Sequence, residues 1–283
     1  GYIAQLALLA GFDKVTINDV KMEPIEKCVG RIENGAYEKK EGLRALESAG
    51  KLGDGITADI LLGRLEKEID LAKAVEDADF VFEAVPEIMK IKQEVFRKLG
   101  EYAPAHAILA SNSSTLSITK IGAHSGRSEQ VIGMHFFIPL FGNRLIELIR
   151  GKQTSDEVMD TCIAIGEKFP CPYYKNEMYI ARIEKESPGF IMNRTFGVLG
   201  IYLSWLTEQA LEKGIMWEEL EAGVAFTGDQ MGWIALLDYS GLDIICDSLN
   251  YLHEALTPDI EAKRFLLIWL KREILEPKLE KVF

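Results

Sequence analysis

This 283-residue chain is poor in the residues and runs that would mark several classes of function. Its four cysteines form no C-x-x-C pair and its four histidines no cluster at ligand spacing, so no zinc site is expected. Cysteine used this way fits a reducing compartment, and the expected location is the cytoplasm or an organellar matrix. No apolar run reaches the roughly 20 residues that span a bilayer. Positive charge is in deficit, with 32 Lys and Arg against 44 Asp and Glu; the net charge of -12 at pH 7 argues against a nucleic-acid or anionic-membrane partner. The first residue is Gly1, with neither an initiator Met nor a signal peptide before the apolar run that follows. What the chain does have is 48% hydrophobic residues and a mean hydropathy of +0.03, enough to bury one large domain or two modest ones.

Strand and helix patterns alternate through the first two-thirds. Tyr2 to Ala10 is an apolar run at helical spacing that stops at Gly11, and Val15-Thr16-Ile17-Asn18-Asp19 is a β-branched run ending in a carboxylate. Residues 23 to 66 read as two charged amphipathic helices broken around Gly50 to Gly55. Ala78 to Val85 reads as a buried strand, followed by a helix with Ile88, Ile91, Val95 and Leu99 on one face; Ala107 to Ser111 and Gln130 to His135 are further strands. Such alternation implies an α/β fold whose mostly parallel sheet is covered by helices on both faces. From Pro188 onward strand signals stop and four or five helical stretches follow, so residues 1–187 and 188–283 are expected to form two domains, the second all-helical.

The chemistry concentrates at strand ends. His135 closes an apolar strand in Gly133-Met134-His135-Phe136-Phe137-Ile138-Pro139, and Glu147 lies inside the next apolar run, Arg144-Leu145-Ile146-Glu147-Leu148-Ile149. A carboxylate there is expensive to bury without a partner, and an imidazole is a suitable one; together they are the parts of a general base. Glu83 and the run Ser111-Asn112-Ser113-Ser114-Thr115 also end strands, on the edge where open α/β sheets bind ligands; Glu83 reads equally as a carboxylate favoured at the next helix's N-terminus, and capping of the next helix is the plainer reading of the serine run. Asn193 lies in Ser187-Pro188-Gly189-Phe190-Ile191-Met192-Asn193-Arg194, early in the first helix of the second domain.

Taken together, these motifs resemble the L-3-hydroxyacyl-CoA dehydrogenase family over nearly the whole chain. The resemblance implies a Rossmann-type, doubly wound sheet followed by a helical domain, NAD as cofactor, an acyl-CoA substrate, and a homodimer formed through the helical domain. It implies His135 as the base oriented by Glu147, with Ser114 and Asn193 on the substrate. On the cofactor side it implies Gly1, at or one past the family's third glycine, then Asp19 on the adenosine ribose, Asn112, and Glu83 with Lys92 near the nicotinamide end. A carboxylate at Asp19 favours NAD over NADP because it repels a 2′-phosphate. Lys92 and Arg194 are the cations available to offset two polyanionic ligands.

Three segments depart from the family pattern. Ile138 stands where H-F-F-N-P has Asn, the stretch from Cys171 to Glu186 is long, and the C-terminus lacks the G-K-G-F-Y type of ending. A further fused domain beyond Phe283 is therefore an open expectation. Because the first strand of such a sheet is central, an apolar strand and a G-x-G turn are expected upstream of Gly1. The alternatives are a dehydrogenase of free hydroxy acids and a non-catalytic, crystallin-like protein that keeps the fold.

Overall fold

The computed structural model describes residues 1–35, 41–137, 143–171 and 178–216, together with 219, 222, 251 and 252. Helix α1 (Tyr2–Leu9) turns Gln5, Leu6, Ala7 and Leu8 inward, and the chain leaves it where Gly11 takes φ +88°, a left-handed conformation that strains any residue with a Cβ. Next come β1 (Val15–Asn18), α2 (Met22–Asn34) with Ile25 and Ile32 on its buried stripe, α3 (Leu43–Ser48), and α4 (Ala58–Leu62), whose N-cap Thr57 accepts from the Ile60 N–H. The strand β2 (Leu65–Glu68) leads through α5 (Leu71–Val75) to β3 (Phe80–Glu83), α6 (Met89–Tyr102), β4 (Ile108–Ser111), α7 (Ile118–Gly122) and β5 (Val131–Phe136). The remainder is β6 (Leu145–Arg150), α8 (Asp156–Lys168), β7 (Tyr179–Ile183) and α9 (Met192–Glu212).

The strands make a parallel pair, β1-β2, and a five-stranded sheet in the order β3-β4-β5-β6-β7, parallel except where β5 meets β6. Lys14, just before β1, pairs with Glu66 of β2 at 3.1 Å and with Asp77, on the approach to β3, at 2.9 Å. That clamp ties the approaches to β1 and β3 together, and β3, β4 and β5, parallel to one another, open their carboxyl ends on one side. Among the described residues no strand hydrogen-bonds to the remaining edge of β1 or of β3. The fold is the expected mostly parallel, Rossmann-like sheet followed by a helical region, of which α9 is the described part.

Under the five-stranded sheet, Met134, Phe136, Ile146 and Leu148 pack with Val158, Met159, Cys162 and Phe169 and with Leu6 and Ala7 of α1. Phe169, fully buried, sits edge-on to Phe82 and Phe136 with ring centroids 6.1 and 5.6 Å apart. Burying each such side chain contributes about 1.5–3 kcal/mol. By contact the chain divides into two compact units: Gly1–Ser113 with Ser117–Glu186, and Ser114–Leu116 with the residues from Ser187 onward.

Local structure differs from the sequence reading in four places. Residues 65 and 66, the expected end of a helix, instead open β2 (Leu65–Glu68): Leu65 and Glu68 are half-buried, and the backbone is fixed by pairing with β1. Strand β7 was not expected at all. The buried stripe of α6 is Lys92, Phe96 and Leu99, not the face led by Ile88 and Ile91, both of which are exposed. A lysine occupies the apolar stripe because its ammonium is matched by carboxylates. Finally, α7 is capped by the Ser117 hydroxyl, which accepts from Lys120 N–H, rather than by Ser114 or Thr115. The segment from Ile138 to Gly142 and the helical stretches expected beyond residue 225 lie outside the described residues, except for Tyr251 and Leu252.

Candidate active site

Antiparallel pairing sets His135 of β5 directly opposite Glu147 of β6. Side chains alternate across a sheet, so with Met134, Phe136, Ile146 and Leu148 committed to the core, His135 and Glu147 share the other face. There His135 Nδ1 lies 2.9 Å from Glu147 Oε2, with the glutamate fully buried and the histidine nearly so. An ionised carboxylate can only accept, so the Nδ1 proton faces Glu147 and the neutral ring keeps its lone pair on Nε2. Phe137 packs against the imidazole, centroid to centroid 4.3 Å. Two residues earlier on the same face, Gly133 lets α7 come close: a Cβ there would stand 2.9 Å from two Ile118 side-chain atoms.

A second polar cluster sits at the ends of β3 and β4. Glu83 Oε1 accepts from Lys92 Nζ at 2.7 Å and from Val85 N–H at 2.7 Å, while Oε2 accepts from the Ser111 hydroxyl at 2.6 Å. Lys92, 1% exposed, also donates to the Val85 carbonyl at 3.1 Å and lies 3.4 Å from Glu87 Oε2. Ser113 donates its hydroxyl to Glu87 Oε1 at 2.6 Å, and its N–H to Ser111 Oγ at 3.3 Å. Asn112 links this cluster to β5: its N–H donates to the Glu83 carbonyl at 2.9 Å, and its Oδ1 accepts at 3.1 Å from Phe136 N–H, the residue after His135. Of the cofactor-side residues named from the sequence, Glu83, Lys92 and Asn112 are thus gathered, and the charge of Lys92 is already matched by two carboxylates. Ser111, Ser113 and Glu87 were not singled out, since nothing in their spacing shows that two separate turns meet.

At the end of β1, Asp19 is half-exposed and Oδ1 accepts from Lys21 N–H. Gly1 precedes α1, which has neither a side-chain cap nor an acidic residue in its first turn, so the orphan N–H groups of that turn suit an anion. These two features, with the polar strand ends between them and His135, fit a dinucleotide laid along the edge. In the second unit, Asn193 Nδ2 donates to the Ser114 carbonyl at 2.9 Å. The preceding turn carries two left-handed residues, Gly189 at φ +72° and Phe190 at φ +53°, the latter buried. A Cβ on Gly189 would come within 2.7 Å of Leu252, and Arg194 donates to the Ser187 hydroxyl. Among the described residues no three His, Cys, Asp or Glu side chains gather as a metal would require, and no helix is long and apolar enough to cross a membrane.

A Rossmann-like sheet with a buried imidazole–carboxylate pair beside its ligand edge belongs to a dinucleotide-dependent oxidoreductase. Known proteins make the class specific. Residues 1–170 match the 3-hydroxyacyl-CoA dehydrogenase NAD-binding domain and residues 189–276 the C-terminal domain of the same family. A probable 3-hydroxybutyryl-CoA dehydrogenase of Deinococcus radiodurans is 35% identical over 264 residues, covering 92% of this chain and 86% of that protein. Its Bacillus subtilis counterpart is 33% identical, with 90% and 82% covered. The crystal structure of (S)-3-hydroxybutyryl-CoA dehydrogenase from Ralstonia eutropha superposes with a TM-score of 0.71 at 27% identity, covering 89% of this chain and 82% of that one. Mycobacterium tuberculosis FadB2, at 24% identity, shares the fold with a TM-score of 0.74, covering 96% and 89%. The chain belongs to the 3-hydroxyacyl-CoA dehydrogenase family and is an NAD-dependent oxidoreductase.

Proposed function

We propose that this protein catalyses the reversible oxidation of an L-3-hydroxyacyl-CoA to the 3-ketoacyl-CoA. The observation that carries the reading is the buried His135–Glu147 pair at 2.9 Å, at the ligand edge of a sheet from this family. Bound NAD supplies the hydride acceptor. As hydride leaves C3 of the substrate, its hydroxyl proton passes to Nε2 of His135 and the C3–O bond becomes a carbonyl. Glu147 holds the ring in the competent tautomer and stabilises the imidazolium that forms. Ser114 and Asn193 hold the C3 oxygen and the thioester in register, a contribution of positioning and electrostatics without a covalent intermediate. Asp19 takes the adenosine ribose, Gly1 and the first turn of α1 take the pyrophosphate, and Glu83, Lys92 and Asn112 form the wall on the nicotinamide side.

We read residues 1–187 as the NAD-binding domain and 188–283 as a helical domain for substrate binding and dimerisation. The Deinococcus radiodurans and Bacillus subtilis relatives support a cytoplasmic enzyme. The test is NADH formation from L-3-hydroxybutyryl-CoA and, in parallel, from free 3-hydroxybutyrate. Turnover of the thioester, with the free acid at least about a hundredfold slower, is expected because remote binding energy drives the chemical step. Preference for the free acid would make this a hydroxy-acid dehydrogenase, and no NADH from any acyl-CoA would make it a non-catalytic relative. Light scattering on the purified protein tests the dimer.

A further inference from the structure

The cluster at the ends of β3 and β4 is a closed circuit. Starting from Glu83, the hydrogen bonds and ion pairs run through Lys92 to Glu87, from Glu87 to the Ser113 hydroxyl, from the Ser113 N–H to the Ser111 hydroxyl, and from Ser111 back to Glu83. Two serines, each donating to a carboxylate at 2.6 Å, are the only bonds of the circuit that join the β3–α6 turn to the β4–α7 turn. On the β3 side Glu83 also fixes the Val85 N–H, and on the β4 side the intervening Asn112 reaches across to Phe136, next to His135. Hydrogen bonds to ionised groups are the strong kind, and in a buried ring each bond polarises the next.

We infer that Ser111 and Ser113 are positioning residues: by closing this ring they fix the spacing of the two turns that form the cofactor-side wall. Glu83 works through the ring as well, since its two oxygens already hold three donors. The inference rests on the proposed NAD site and specifies how that wall is held. It requires that breaking the ring anywhere loosen the same two turns. A second break then adds less than the first: the first reduces a two-point attachment to a single hinge, and the ladder bond from Asn112 N–H to the Glu83 carbonyl still holds the strand ends together after the second.

The experiment uses Ser111→Ala, Ser113→Ala and the double variant, which remove a hydroxyl without changing charge. NAD affinity is read by calorimetry, alongside KM for the acyl-CoA and the melting temperature. Each single variant should weaken NAD binding about tenfold, the double variant by no more than about twice that, and KM for the acyl-CoA should stay within about twofold. Wild-type NAD affinity in both single variants would overturn the inference, leaving the ring a stability element read only in the melt. So would losses that multiply to about a hundredfold in the double variant, the sign of two independent ligand contacts. Failure of the wild-type protein to bind NAD would refute the proposed function instead, which separates the two outcomes.

Discussion

Replacing Glu147 with Gln separates what the buried pair does for catalysis from what it does for the fold. The amide is nearly isosteric and its carbonyl can still accept the Nδ1 proton that Glu147 Oε2 holds at 2.9 Å, so the neutral imidazole keeps its tautomer. What is lost is the charge facing the imidazolium. Two unit charges about 4 Å apart at an effective dielectric of about 20 interact by about 4 kcal/mol, and half-developed charge in the transition state halves that. Turnover should therefore fall between about thirtyfold and a thousandfold, at about 1.4 kcal/mol per tenfold. Stability should behave differently. Glu147 is 0% exposed, and an ionised carboxylate in an apolar strand carries a desolvation cost of several kcal/mol that Gln avoids. His135 can answer the loss of its partner by remaining neutral, so no uncompensated charge is left behind. NADH formation under saturating substrate and a urea melt of the same preparation are the paired assays. A loss of turnover under fivefold would refute the electrostatic argument, and a loss of stability above about 3 kcal/mol would mean that the pair is chiefly structural.

His135→Gln removes the proposed base and should lower kcat at least about a hundredfold with NAD affinity nearly unchanged. Asp19→Ala should weaken NAD and narrow its preference over NADP, and an unchanged affinity ratio would show that Asp19 does not reach the ribose. Burial pushes the Cys162 thiol up to about 12, so at pH 8 only about one in ten thousand is thiolate, and brief alkylation of the native protein should modify the half-buried Cys28 while sparing Cys162. In the unfolded chain that thiol ionises near the ordinary value of 9.0, so this group lowers stability as pH rises above it, never below. Gly133→Ala forces a Cβ to within 2.9 Å of Ile118 and should cost about 1–3 kcal/mol in a urea melt, with turnover falling as β5 is pushed from α7.

The elements legible in the sequence were those whose side chains state their environment. Strands β3, β4, β5 and β6 are apolar runs bounded by turns or charge, and Glu147 could be picked out because a carboxylate in such a run needs a partner. Strand β2 could not be seen, because Leu65-Glu66-Lys67-Glu68 has a helix-former's composition and becomes a strand only by pairing with β1 fifty residues earlier. The stripe of α6 was misread for a related reason. Lys92 counts as polar in any periodicity, yet its burial is decided by Glu83, nine positions away across a turn. Likewise Ser111 and Ser113 each look like cap residues, and their circuit exists only once two βα turns lie side by side.

The crossover from parallel to antiparallel at β5-β6 has an evolutionary consequence. In a hairpin, partners are fixed by the sum of their positions, so Phe136 with Ile146 and His135 with Glu147 are set by the ladder, and residues can be gained or lost at the tip without changing who faces whom. Deleting Ile146 while the start of β6 keeps its register would instead bring Leu148 opposite the imidazole. The His135–Glu147 pairing is thereby held in a part of the chain intolerant of insertions and deletions.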